Sequence, residues 1–235
     1  MINHIRKAGV LNRVSTLHQA KDRLIQNYKA RGLVKDELAF RAFKEVPREM
    51  FLPENSRSSA YSDHPLPLMN TGQTISAPHM TIMILEYLEL TPGLKVLEVG
   101  AGSGYQAALI AAAITSSDEV GHVYSLEIVP ELVNYARKNM VETGYDDRVT
   151  VISGDGTLGY EDASPYDRII LTAAGPKLPP PLFEQLEIGG ILVMPVGTPR
   201  MWQVMTKFRK TTKTDFSQEV LSSVAFVPLR GQYGI

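Results

Sequence analysis

The chain has 235 residues, no cysteine, 44% hydrophobic and 21% charged residues, and a formal net charge of −1. That composition is globular, and it excludes disulfides, thiolate metal sites and a cysteine nucleophile. It also lacks the basic footprint of a protein that grips phosphate backbones.

The N-terminal stretch carries Arg6, Lys7 and Arg13 around a short apolar run at 8–11, too short for a signal-peptide core. The longest apolar run, AALIAAAI at 107–114, falls far short of the ~20 residues of a membrane span. The expectation is a soluble, monomeric, cytoplasmic protein with no nucleic-acid and no membrane partner. From Thr16 to Arg31, Leu17, Ala20, Leu24, Ile25 and Tyr28 recur at helical spacing. Asp36 is placed to cap a second helix reaching Lys44, with Leu38, Ala39, Ala42 and Phe43 inward. Residues 47–75 hold Pro47, Pro53, Pro65 and Pro67 and read as a long, partly irregular connection, a length uncommon without a function. A helix is predicted from Pro78 to Leu90.

Beyond Pro92-Gly93 the pattern becomes strand and helix in alternation. Strands are predicted at 95–100, 122–127, 148–155, 166–174 and 190–197. Helices fall at 104–114, 130–142 and 180–186 between them. The runs WQVMTKF and EVLSSVAFVPL have no helix between them and read as an antiparallel pair at a sheet edge. The expected fold is α/β, with a doubly wound, mostly parallel Rossmann-like sheet, that antiparallel pair and an N-terminal helical cap. Residues 1–90 form the cap and 91–235 the sheet domain, in one compact unit.

LEVGAGSGY, Leu97 to Tyr105, is a strand, a glycine-rich turn and a helix start. In an open α/β sheet, ligands bind in the crevice at such strand ends. A turn of this kind can serve NAD, a flavin or S-adenosylmethionine. Here the spacing is GxGxG through Gly100, Gly102 and Gly104, with Tyr105 where the dinucleotide fingerprint has its third glycine. Glu98 before the turn would repel a pyrophosphate, yet suits the cationic amino-acid end of S-adenosylmethionine. Glu127 ends the next strand, placed to accept ribose hydroxyls. Asp155 ends the third, placed for an adenine amino group, with Gly156 letting the ring lie close to backbone. The site therefore reads as one for S-adenosyl-L-methionine.

The segment AYSDHPLPLMNTGQTISAPHM at 60–80 resembles the signature of the protein-L-isoaspartate (D-aspartate) O-methyltransferases. LEVGAGSGYQAA, SGDGTLGY, QLEIGGILVMPVG and FVPL follow in that family's order, and the similarity runs over roughly residues 20–229. It implies a carboxyl O-methyltransferase acting on L-isoaspartyl residues of damaged proteins and peptides. The methyl ester then cyclises to a succinimide whose hydrolysis restores some aspartate. It implies Ser76 as the active-site residue, Gln73, Thr74 and Ile75 along the boundary of donor and acceptor, and Glu98, Gly100, Gly102, Glu127, Asp155 and Gly156 as cofactor contacts. His79 lies in the motif, for substrate binding or as a structural residue capping the helix from 78. Ser76, two residues before Pro78, also stands where a helix N-cap would. The short run after FVPL departs from family members with a longer tail. Two other readings remain at this stage. One is a methyltransferase of RNA or a small metabolite, although the fourth strand ends LTAAGP rather than in an Asp/Asn-Pro-Pro-Tyr run. The other is a non-catalytic nucleotide-binding module.

Overall fold

Residues 2–198 and 202–235 are described by a computed structural model. Helix α1 (Ile2–Ala30) starts well before the predicted Thr16. The preceding stretch has one glycine and no proline, so nothing in the sequence stops helix propagation there. The predicted N-terminal basic residues and apolar run sit on this part of α1, and their side chains lie outside the described residues. Helix α2 (Glu37–Glu45) begins at Asp36 as predicted, whose carboxylate accepts from the Leu38 amide at 2.8 Å.

The proline-rich connection contains two 3-10 turns, Arg48–Phe51 and Glu54–Ser59. A small antiparallel hairpin follows, β1 (Leu66–Leu68) with β2 (Gln73–Ile75), pairing Leu66 with Ile75. Helix α3 (Pro78–Tyr87) has Pro at its start, where the missing N–H costs nothing. It ends short of the predicted Leu90, with Glu89 at φ 50°, because the chain must turn there into the sheet.

The sheet has seven strands in the order β5-β4-β3-β6-β7-β8-β9. In chain order these are β3 (Lys95–Val99), β4 (His122–Glu127), β5 (Val149–Ser153), β6 (Tyr166–Leu171), β7 (Leu186–Val196), β8 (Gln203–Lys210) and β9 (Phe216–Val224). All pairings through β7 are parallel, and β7 to β8 and β8 to β9 are antiparallel, as the helix-free C-terminal sequence predicts. Helices α4 (Tyr105–Ala113), α5 (Pro130–Thr143) and α6 (Pro180–Glu184) make the crossovers. β3 lies between β4 and β6, so the chain turns in opposite directions on either side of it. That switch point opens the crevice at the strand ends.

Alternating side chains divide the core. Val96 joins the cluster holding Tyr28, Phe43, Leu85 and Ile110, while Leu97 joins Tyr166, Ile169 and Leu192 on the other face. Each fully buried leucine or isoleucine contributes about 1.5–3 kcal/mol. Residues of α2, α3 and α4 share the first cluster, so the N-terminal helices are packed onto the sheet's own core. Every residue of α4 is buried, and its alanines let it approach both neighbours closely.

Cations tie the helix C-termini to distant elements. Lys21 Nζ donates to the carbonyls of Lys44 and Val46 at the end of α2, and Arg168 to those of Leu88 and Glu89 after α3. Arg41 donates to Ala112, Ala113 and Thr115 at the end of α4, and Lys210 to Phe183, Glu184 and Leu186 at the end of α6. The last carbonyls of a helix have no intrahelical partner, and a positive charge complements the helix dipole there.

Candidate active site

The glycine turn after β3 is pinned to β4. The amides of Gly100 and Ala101 donate to the Leu126 carbonyl at 2.8 and 3.0 Å, and that of Gly102 to Glu127 Oε2 at 2.8 Å. These amides are already engaged, so the turn is no anion cradle, in contrast to helix-start phosphate sites. Gly100 has φ 101°, and a Cβ there would stand 2.4 Å from Thr172 Oγ1. At Gly156 a Cβ would stand 2.5 Å from Val99 Cγ1. Both positions require the bare backbone that keeps the crevice open.

Glu98 and Glu127 bound this crevice. Glu127 is oriented by two amides, Gly102 on one oxygen and Val129 on the other. Glu98 is fully buried. Burial pushes its carboxyl up to about 8, with the Ser125 hydrogen bond opposing and the negative Glu127 adding to the rise. Ser125 satisfies Oε2, and Oε1 has no partner among the described residues. A buried carboxyl with one orphaned oxygen, beside a second carboxylate, suits a ligand that brings hydrogen-bond donors and positive charge.

The crevice forms a narrow cavity of about 90 Å³. Gln73, Thr74, Ile75, Ser76, Glu98, Gly100, Gly102, Glu127 and Gly156 all line it, gathered from β2, β3, β4 and the turn after β5. Asp155 does not. Its Oδ1 accepts from Thr157, and its Oδ2 accepts from the Gln232 amide at 2.7 Å. The chain at 231 passes so close that a Cβ there would stand 2.0 Å from Asp155 Oδ1. The C-terminal backbone therefore engages the carboxylate that the sequence assigns to an adenine amino group. The C-terminal residues also contribute to the cavity, whose wall includes Val227, Pro228, Leu229 and Arg230.

A second, wider and solvent-open cavity of about 390 Å³ adjoins the first, and both are lined by Thr74, Ser76, Thr172 and Val227. Ser76 thus stands at the junction. Its hydroxyl makes no hydrogen bond among the described residues. It does not cap α3, correcting one of the two roles its sequence position suggests, for the N-cap is Ala77 without a side-chain bond. The capping acceptor is Asp63, whose Oδ1 takes the His79 amide at 3.0 Å and His79 Nδ1 at 2.8 Å. His79 is therefore the capped residue rather than the cap, and it lines the second cavity with its ring fixed by Asp63.

Arg48 escaped the sequence reading. It is fully buried, with Nε donating to the Ala60 carbonyl and Nη2 to the Ser76 carbonyl, each at 2.8 Å. Its guanidinium lies 5.0 Å from the ring centre of Tyr105, the residue that replaces the third glycine of the dinucleotide fingerprint. One side chain therefore joins the cap, Ser76 and the first turn of α4. No spacing or motif in a single sequence marks an arginine among proline-rich loop residues as buried. Arg48→Met would leave two carbonyls unpaired, at about 1–3 kcal/mol each. The expected result is an unfolding free energy, measured by urea titration, lowered by a total of roughly 2–6 kcal/mol, with Arg48→Lys losing less because it retains a donor. Equal stability of the methionine variant and the wild type would contradict the tether.

The sequence comparisons agree with this geometry. Residues 19–234 match the model of the family described as protein-L-isoaspartate(D-aspartate) O-methyltransferase. A protein-L-isoaspartate O-methyltransferase of Hyperthermus butylicus is 49% identical over 92% of this chain and 90% of its own length. One of Methanothermobacter thermautotrophicus is 48% identical over 90% and 95%. A solved structure named protein-L-isoaspartate O-methyltransferase superposes with a TM-score of 0.80 at 28% identity, covering 91% of this chain and 67% of that one. A Plasmodium falciparum structure assigned to the same activity, in complex with S-adenosyl-L-homocysteine, gives 0.76 at 27%, covering 88% and 97%. The chain belongs to the protein-L-isoaspartate(D-aspartate) O-methyltransferase family.

Proposed function

We propose that the protein methylates the free carboxylate of L-isoaspartyl residues in damaged proteins and peptides, with Ser76 positioning that carboxylate at the junction of the two cavities. The observation that carries this reading is the sharing of Ser76 between a narrow crevice with acidic walls and a wider adjoining cavity. S-adenosyl-L-methionine is the cofactor, and when bound it supplies an electrophilic methyl carbon on a sulfonium sulfur. Glu98, Glu127, Gly100, Gly102 and Gly156 would hold it, with Gln73, Thr74 and Ile75 closing the side toward the acceptor.

The chemistry asks little of the side chains. An ordinary carboxyl has a pKa near 4, so at neutral pH the acceptor is ionised roughly a thousandfold over and needs no general base. The carboxylate oxygen forms its bond to the methyl carbon as the carbon–sulfur bond breaks, and the sulfur keeps that pair. What remains is alignment, which can contribute on the order of 7–11 kcal/mol. Ser76 would donate to one carboxylate oxygen and leave the other for attack. Residues 1–90 then serve as the acceptor-covering cap of the 91–235 donor domain. Among the described residues no helix is long and apolar enough to cross a membrane. A monomer in the cytoplasm, with no nucleic-acid or membrane partner, belongs to the same proposal, as does loose preference for the residues around the damaged site.

The test is incubation with methyl-labelled S-adenosylmethionine and a pair of peptides differing only in isoaspartyl or normal aspartyl linkage. The expected outcome is base-labile label on the isoaspartyl peptide alone. Label on both peptides, or on RNA instead, would overturn the reading.

A further inference from the structure

The chain has a single tryptophan, Trp202, and it is 90% exposed. An exposed indole at the rim of a cavity offers a flat apolar face with a polar N–H, a combination suited to contacts with a ligand. Trp202 lies on the wall of the open cavity, together with Ser76 and His79. Its place is fixed by its neighbour. Gln203 is buried and binds the backbone of Phe226 twice, Nε2 donating to the Phe226 carbonyl at 3.2 Å and Oε1 accepting from the Phe226 amide at 2.6 Å. That clamp joins the start of β8 to the 223–227 segment, which forms the facing stretch of the same cavity. Trp202 immediately precedes β8 and, unlike the buried Gln203, stands outward at the cavity mouth. The remaining wall is apolar around Pro65, Met80 and Phe226, and the cavity is continuous with the crevice through Ser76.

We propose that Trp202 is an acceptor-binding residue whose indole covers an apolar side chain next to the isoaspartyl residue, so that it sets peptide affinity and preference without touching the reacting atoms. This rests on the isoaspartyl reading above. The wall supplies apolar area and a flat aromatic face, the combination that dominates the energetics of peptide recognition. Among the described residues its lining holds no Asp, Glu, Lys or Arg, so the favoured neighbour is leucine- or tyrosine-like.

Two isoaspartyl peptides test it, one flanked by leucine and tyrosine and one flanked by glycine, each with wild type, Trp202→Ala and Trp202→Phe. For the apolar-flanked peptide, Trp202→Ala is expected to raise KM about tenfold with kcat within about twofold, and Trp202→Phe to recover most of the loss. For the glycine-flanked peptide the rise stays below about threefold. The chain's one indole also reports directly. Its emission is expected to shift to shorter wavelength when the apolar-flanked peptide binds the protein saturated with S-adenosylhomocysteine. An unchanged KM in Trp202→Ala, or an unchanged spectrum at saturating peptide, overturns the proposal while leaving the isoaspartyl reading standing. A wild type that labels neither peptide overturns both.

Discussion

Replacing Ser76 by alanine is expected to lower kcat for an isoaspartyl peptide by about 10- to 100-fold, with the dissociation constant of S-adenosylhomocysteine kept within about twofold. The magnitude is that of one hydrogen bond to a charged acceptor, about 1.5–3 kcal/mol, lost where alignment limits the rate. Among the described residues the Ser76 hydroxyl has no bond that its removal would break, and Arg48 holds the backbone at this residue through the Ser76 carbonyl. The alanine variant should therefore fold normally. Calorimetric titration with the product cofactor, run beside steady-state rates, separates the two quantities. Parallel losses of donor affinity and turnover would make Ser76 a structural residue instead.

Glu98→Gln is expected to reverse the usual sign of an active-site substitution by stabilising the free protein. The wild-type carboxyl is pushed up to about 8 by burial, with Ser125 opposing and Glu127 adding. A carboxyl whose folded value lies above its unfolded one favours the unfolded state as pH rises, because the unfolded chain releases its proton first. The loss begins near pH 4.5 and is complete above 8, where it amounts to roughly 4–5 kcal/mol. Glutamine does not titrate, and its amide oxygen can still accept from Ser125. Urea unfolding at pH 5 and pH 9 is expected to show the variant gaining on the wild type by most of that amount. It should also bind the donor at least about tenfold more weakly, because a cationic ligand beside the wild-type carboxyl favours its ionised form and glutamine has no such form. Stabilities that fall in parallel between the two pH values would contradict a neutral, buried Glu98.

Periodicity made the sheet legible. Strand–helix alternation after Pro92 predicts the parallel strands, and the missing helix before the last strand predicts the antiparallel edge. Asp36 as a cap follows from residue type alone. Boundaries were less visible. The N-terminal extension of α1 and the early end of α3 depend on packing and a turn, neither of which leaves a periodic trace. The hairpin that carries Gln73–Ile75 was hidden because three-residue strands are shorter than any alternation a sequence can display. Long-range pairings were hidden as well. Asp63 capping α3, the C-terminal backbone engaging Asp155, and Arg48 holding Ser76 each join residues that are distant in the chain. By contrast, the glycine turn and Glu98 are local, and Glu127, although 25 residues beyond Gly102, is legible because it ends the next predicted strand.

A crystal structure of the protein with S-adenosylhomocysteine and an isoaspartyl peptide would bear most directly on the positioning role of Ser76. The account predicts one isoaspartyl carboxylate oxygen within hydrogen-bond reach of the Ser76 hydroxyl and the other turned toward the sulfur, with the peptide chain lying in the open cavity. A carboxylate seated away from Ser76, or a donor bound outside the crevice of Glu98 and Glu127, would contradict it.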